Sequence, residues 1–231
     1  METKDDNPSL DTDFKRSTTM KRGLILPGLA LVSLLTMAAA SGTPEGEKRA
    51  RELRAWNVDA PHTEISFSVK HFFTPVTGTF RNYEVDLRFD EEAPESSTVT
   101  VTIDVASVDT NNERRDNHLR SPDFFDAEKY PKMTFTSSSV SQVGPNLLVA
   151  KGNLTIKETT KEIELGINLL GITDLPPEMQ EMMGGVVQVA SFEASTKVDR
   201  REFEVGVANW AQTMIVGGDV NITIALEANH K

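Results

Sequence analysis

The residues that could do acid–base or metal chemistry in this 231-residue chain are few. The chain has four His and no Cys, and it contains no GxSxG, HExxH or glycine-rich phosphate-loop motif. It therefore has no thiol nucleophile and no disulfide, and it carries no recognisable zinc-protease or nucleotide-binding signature. We expect no catalytic residue, no metal centre and no cofactor.

Three histidines still need an interpretation. His118, in RDNHL, is either a loop residue bonded to Asp116 or to backbone, or a polar contact for a ligand head group. With Asp116 it could also form an acid–base pair, and a lipid-modifying enzyme built on that pair would work by proton transfer alone. His71 continues an apolar strand face, which favours a hydrogen-bonded sheet residue over a metal ligand. His62, in PHT, is expected in a turn before a strand.

The elements that would position these residues are strands. From Trp56 onward apolar residues recur at every second position, most clearly in 65–69, 99–105 and 220–226, which is typical of half-buried antiparallel strands. Such strands leave one apolar face to be covered, and the chain has no amphipathic helix long enough to cover it. We expect an all-β fold in which about eight antiparallel strands close into an up-and-down barrel.

One connection, residues 109–131, is too long and too polar for a plain turn. Ser121 followed by Pro122 resembles a helix N-cap with Pro at the first helical position, so short helical turns are expected here, packed across one end of the barrel. Phe124 and Phe125 would be the anchors, with at least one of them pointing into the barrel mouth and His118 nearby. Alternatively, both rings pack the segment onto the outer wall.

The sequence of this connection, together with four other segments, resembles the bacterial YceI-like proteins, which are lipocalin-like barrels that bind polyisoprenoids. The other segments are WNVDAPHTEISFSVKHFF from Trp56, GTF at 78–80, GNLTIKETTKEI at 152–163 and DVNITIALE at 219–227. The resemblance implies an elongated apolar tunnel that holds an isoprenoid tail, for example that of a polyprenyl quinone. A tail that moves from the membrane into such a tunnel passes between two apolar environments, which suits a carrier or sequestering role in the cell envelope, and the lack of catalytic motifs indicates no enzymatic activity.

The inward-facing apolar residues have two interpretations. From the residues alone they form either a filled core or the lining of a ligand tunnel, and the resemblance favours the tunnel. A filled barrel would instead suit a stress-response or interaction protein with 109–131 as a docking surface. The candidate lining residues are Ile65, Phe67, Val69, Val85, Leu87, Ile103, Phe135, Leu154, Ile156, Leu165, Ile167, Phe192 and Ile224.

The N-terminal residues are typical of a targeting segment. Residues 23–40 are almost wholly apolar, follow Lys21 and Arg22, and end in three alanines, which is the pattern of a secretory signal cleaved after Ala40. We therefore expect a periplasmic or secreted protein, with a single-pass signal anchor as the alternative.

The remaining boundaries follow from this assignment. Residues 1–19 are too acidic for a signal sequence and are expected to be a misassigned extension before a true start at Met20. Residues 41–54 suggest a flexible charged linker, which leaves 55–231 as the barrel domain.

The net charge of −11 limits the choice of partners. An acidic surface is repelled by phosphate backbones, so nucleic acid is excluded as an expected partner. Transient contact with a membrane is compatible with the composition, and the sequence sets no oligomeric state.

Overall fold

The computed structural model describes residues 53–212 and 214–231. The expected signal peptide at 1–40, the expected start at Met20 and most of the expected linker at 41–54 lie outside the described residues. No helix in the described part of the chain is long and apolar enough to cross a membrane.

The described residues form one 11-stranded sheet and two short α-helices. The strands are β1 (Ala55–Val58), β2 (Glu64–His71), β3 (Thr74–Phe80), β4 (Tyr83–Arg88), β5 (Thr98–Asp104), β6 (Val108–Asp109), β7 (Lys132–Gln142), β8 (Leu147–Ile156), β9 (Thr159–Asp174), β10 (Gln188–Asp199) and β11 (Val216–His230). Helix α1 (Glu113–Arg120) connects β6 to β7, and helix α2 (Pro177–Met182) connects β9 to β10.

The sheet closes on itself through β11. One edge of β11 pairs with β10, and the other edge pairs first with β2 and then with β1. Strands β1 and β2 are two parts of one bent strand, as are β3 with β4 and β5 with β6, because each pair follows the same neighbouring strand. Counted in this way the molecule is a closed barrel of eight antiparallel strands, and the expected fold class is confirmed.

Strand β8 shows how the alternating sequence builds the barrel wall. Leu148, Ala150, Leu154 and Ile156 are buried, while most residues between them are partly or fully exposed. Gly152 interrupts the apolar series because its position has no room for a side chain. A Cβ there would lie 2.5 Å from the Thr136 carbonyl oxygen and 2.6 Å from the ring of Phe135.

The barrel has two ends, which we name after the helices. The α1 end carries helix α1, residues 121–131, the turn between β2 and β3, and residues 200–212. The α2 end carries helix α2, the β4–β5 connection and the turn between β7 and β8.

Helix α1 confirms the expected helical turn in 109–131 but begins earlier than the sequence pattern indicated. The N-cap is Asn112, whose side-chain oxygen accepts from the N–H of Arg115 at 3.0 Å. Ser121 instead ends the helix, and its hydroxyl donates to the carbonyl of His118 at 2.7 Å. The predicted N-cap at Ser121 is therefore wrong, since Asn112 followed by the acidic Glu113 offers an equally good start.

Candidate functional site

The barrel interior contains two cavities with almost wholly apolar walls. The larger one, of about 170 Å³, lies towards the α1 end, and the smaller one, of about 80 Å³, lies towards the α2 end. Ile65, Val101, Leu165 and Ile224 line both cavities and so mark the place where the two adjoin. We call these four residues the waist.

All 13 candidate lining residues lie in the walls of these cavities. Six of them line the larger cavity: Phe67, Val69, Ile103, Phe135, Leu154 and Ile156. Four line the smaller cavity: Val85, Leu87, Ile167 and Phe192. The remaining three line both: Ile65, Leu165 and Ile224. That these side chains contact a ligand stays a prediction.

Several wall residues were not expected from the sequence. Val101 and Ile222 belong to strands whose alternation was visible, so the same pattern could have found them. No local pattern points to Leu119 on α1, to Val205 in a loop or to the charged Arg200. These three come to the cavity only because the α1-end connections fold back over the barrel.

The two phenylalanines of the 121–131 turn close the larger cavity at the α1 end. Phe124 and Phe125 both line it; Phe124 is buried in the hydrophobic core, and the partly buried Phe125 packs against that core. The ring of Phe125 meets Phe80 edge-on at 6.0 Å, and Phe80 in turn packs on Phe67 at 5.5 Å. A continuous row of aromatic rings therefore joins this covering segment to the strand wall.

Two aromatic rings and a glycine pack against the ring of Phe124. His118 and Trp210 contact its ring at centroid distances of 4.9 and 5.9 Å. Gly206 has a positive φ of 62°, and a Cβ at this position would lie 2.6 Å from the Phe124 ring. A glycine is needed here both for the backbone conformation and for the close approach.

His118 does not line either cavity, and it is not paired with Asp116. Its Nε2 lies 2.9 Å from Asp123 Oδ2, and this hydrogen bond lowers the pKa of the Asp123 carboxyl. Asp116 is buried and accepts hydrogen bonds from the backbone N–H and the hydroxyl of Thr110. Of the alternatives for His118, pairing with Asp116 is wrong, because residues two apart on a helix point to different sides.

The other two histidines lie away from the cavities. His62 ends a 3-10 turn, Ala60–His62, immediately before β2, as expected. His71 is the last residue of β2 and is exposed, with its ring against Phe72 at 4.9 Å. The apolar face of β2 therefore does not continue to His71.

Arg200 is the one charged residue in the wall of the larger cavity, and all its donors are in use. A guanidinium has five N–H groups, and five backbone carbonyls accept from Arg200. The acceptors are Gly217 (2.8 Å), Val205 (2.8 Å), Gly206, Trp210 (2.6 Å) and Val216 (2.9 Å). Burial lowers the pKa of Arg200. Arg200 therefore joins residues 205–210 to the start of β11 at the α1 end and has no N–H left for a ligand.

Comparison with known proteins shows that the chain is similar to the members of one protein family. Residues 56–228 match the family described as the YceI-like domain. The protein YceI of Escherichia coli is 36% identical over 187 residues, which are 80% of this chain and 88% of that relative.

Two solved structures share the architecture. Burkholderia cenocepacia BcnA is 27% identical with a TM-score of 0.66, covering 74% of this chain and 99% of that one. A polyisoprenoid binding domain from Saccharophagus degradans, implicated in plant cell wall breakdown, is 14% identical with a TM-score of 0.54. The match covers 78% of this chain and 99% of the domain, and at this identity it is a likeness of fold alone.

Proposed function

This chain belongs to the YceI-like domain family, and from that premise we propose that it binds an isoprenoid or another long apolar lipid inside the barrel. A polyprenyl quinone is one such lipid, and the role is that of a carrier or sequestering protein in the cell envelope. The observation that carries the proposal is the pair of apolar cavities that meet at the waist. A filled barrel, the alternative from the sequence, requires that space to be occupied by side chains.

The chemistry of the wall supports a tail rather than a charged ligand. Among the side chains that line the larger cavity, only Ser66, Thr196 and Arg200 carry a nitrogen or oxygen atom. The guanidinium of Arg200 is already saturated by carbonyls. Burying a charged head group there would leave it without a partner, which costs several kcal/mol or more. A polar head group would therefore stay at the α1-end mouth.

Energetics favour exchange of the lipid over irreversible binding. Moving a CH₂ group from water into an apolar site yields about 0.8 kcal/mol. A tail of some tens of carbons taken from water would exceed the affinity ceiling of about −18 to −21 kcal/mol. In a cell the tail starts in a membrane, which is already apolar, so the two environments nearly cancel. Such exchange requires binding and release but no chemical reaction, so a cavity without catalytic groups is sufficient for it.

The waist sets how much of a tail can enter. The two cavities meet at Ile65, Val101, Leu165 and Ile224, so a short tail occupies the larger cavity alone. A longer tail has to separate these side chains before it reaches the smaller cavity. The bound length therefore depends on side-chain rotations at the waist.

Native mass spectrometry tests the proposal directly. Gently purified protein, before and after incubation with a polyprenyl quinone, is expected to show a mass increase equal to one lipid. Ile103→Phe, which fills the larger cavity, is the matched control and is expected to lose this adduct while its circular dichroism spectrum is kept. Repeated recovery of empty protein that also fails to take up the quinone would contradict the proposal.

A further inference from the structure

Outside the barrel interior, the side chains of Asp59, His62 and Glu227 bring three metal-ligating atoms together. His62 Nδ1 lies 3.2 Å from Asp59 Oδ2 and 3.7 Å from Glu227 Oε1. Each residue offers one ligand atom, and these atoms all lie within 4.8 Å of one another. Two carboxylates therefore face the same ring nitrogen, although the chain as a whole already carries a net charge of −11.

Hydrogen bonds that do not involve the three ligand side chains hold this group in place. The N–H of Asp59 donates to the carbonyl of Glu227 at 2.8 Å. The Thr63 hydroxyl accepts from the Glu227 N–H at 3.2 Å and lies 3.4 Å from the Glu227 carbonyl. The hydroxyl of Tyr83 donates to the Thr63 carbonyl at 2.6 Å. The 59–63 turn therefore stays bonded to β11 whether the side chains of Asp59, His62 and Glu227 are charged or neutral.

The spacing of the three atoms suits a small tetrahedral ion. With metal–ligand bonds of about 2.0–2.2 Å, as for Zn²⁺ bound by imidazole and carboxylate, neighbouring ligand atoms lie about 3.3–3.6 Å apart. The two distances from His62 Nδ1 are 3.2 and 3.7 Å, one just below and one just above this range. The two carboxylates need only rotate towards each other to complete a three-ligand set.

We propose that Asp59, His62 and Glu227 form a binding site for a divalent transition-metal ion of the Zn²⁺ type, with water as the fourth ligand. One imidazole nitrogen and two carboxylate oxygens fit Zn²⁺, whereas Mg²⁺ and Ca²⁺ take six or more oxygen ligands. The His62 side chain is 67% exposed, so an ion reaches the site from solvent. The cation offsets the repulsion between the two carboxylates.

The position of the site indicates what a bound ion would do. Between Ala225, which pairs with Glu64, and Ala228, which pairs with Val58, strand β11 changes its partner from β2 to β1. Only two residue pairs of the described chain join β1 to β11 beyond this point. An ion shared by the 59–63 turn and Glu227 would join the two sides of this junction and hold the barrel closed there. The site does not depend on the lipid proposal, since none of its three ligands lines either cavity.

The competing explanation is a surface ion pair in which a protonated His62 bridges the two carboxylates. Titration calorimetry of untagged, chelator-treated protein with ZnCl₂, and separately with MgCl₂, distinguishes the two. A metal site predicts one Zn²⁺ per chain, no saturable Mg²⁺ binding, and a higher melting temperature with Zn²⁺.

Variants locate the binding. His62→Ala is expected to abolish Zn²⁺ binding and the thermal shift. Glu227→Gln is expected to weaken binding by more than about tenfold, because even changes outside the ligand set cost about 10–100-fold. Glu64→Gln removes a neighbouring carboxylate, and His118→Ala removes the other surface histidine that is paired with a carboxylate; both are expected to bind Zn²⁺ normally. Absence of Zn²⁺ binding, or equal binding by His62→Ala, would overturn the site, and because His62 is exposed the variant is expected to stay folded.

Discussion

The two halves of the barrel interior are equally apolar but are closed in different ways. At the α2 end the wall itself provides the closure: the Trp56 indole N–H donates to the Phe89 carbonyl at 3.0 Å, and Phe89 meets Phe192 edge-on at 5.1 Å. Ala190 and Ala228, which pair across β10 and β11, are fully buried. This half is therefore closed by side chains of β1, β10 and the β4–β5 connection.

At the α1 end a separate segment lies over the opening. It is held by the packing of Phe124 and Phe125 against the core and by charged side chains that donate to backbone carbonyls, such as Arg120 to Ala106 and Val108, both at 2.7 Å. Lifting this segment would break these hydrogen bonds and expose the two rings, but it would leave the ladders from β7 to β11 paired. We therefore predict that a lipid bound as proposed enters and leaves at the α1 end.

Replacing Phe124 by Ala would test this comparison with the largest effect. The expected loss in the free energy of unfolding is about 3–5 kcal/mol, as for other buried Phe side chains, and release of a bound fluorescent polyprenyl analogue to vesicles should become faster. Phe89→Ala, at the α2 end and similarly buried, is the control. It should lower stability by a comparable amount and leave the release rate unchanged. Equal release rates in both variants would make the 109–131 segment a structural clasp instead of a lid.

Arg200→Met removes the donors that join residues 205–210 to the start of β11. The carbonyls of Val205 and Gly206 accept buried bonds from Arg200, and each unsatisfied buried group costs at least about 1 kcal/mol, so the expected loss in stability is at least about 2 kcal/mol. The neighbouring Arg201 pairs with Asp199 at the surface. Arg201→Met should therefore cost less than about 1 kcal/mol. Urea denaturation measures both variants, and similar losses would contradict the role assigned to Arg200.

Filling one cavity at a time would show how far a tail extends. Ile103→Phe acts in the larger cavity and Ala194→Phe in the smaller one, each at a packing cost of about 1–3 kcal/mol. We expect Ile103→Phe to block all tails and Ala194→Phe to block only those long enough to pass the waist. Native mass spectrometry with a series of polyprenyl chain lengths measures this. If both well-folded variants bind every tail, neither position lines the ligand site.

The smallest expected effect is a pH dependence at the α1 end. The hydrogen bonds from Arg201 hold the pKa of the Asp199 carboxyl at about 2, below the value of about 3.9 expected in the unfolded chain. Since the folded-state pKa is the lower one, this contribution to stability is fully present above about pH 4 and is lost as the pH falls towards 2. Asp199→Asn should therefore be less stable than the wild type at pH 7 and equally stable near pH 2. A stability difference independent of pH would contradict this assignment.

The barrel could be predicted from the sequence because its signal is local. Alternation along strands such as β8 and β11 shows which face is apolar, and every one of the 13 candidate lining residues lies in a cavity wall. The helical turn in 109–131 was also visible, but its start was misplaced because Asn112 and Ser121 carry similar capping signals. Which of the two residues caps the helix depends on how the whole segment packs against the barrel.

Only the tertiary structure decided which residues far apart in the sequence are paired. Thr63 and Glu227 are 164 residues apart, and barrel closure alone brings Glu227 to His62. The five carbonyls around Arg200 and the partner of His118 likewise depend on how loops fold back over the α1 end. The sequence by itself determined the strands, their apolar face and the covering segment, since these follow from the period of side chains along an extended backbone. Polar contacts across the fold depend on distances that no local period encodes.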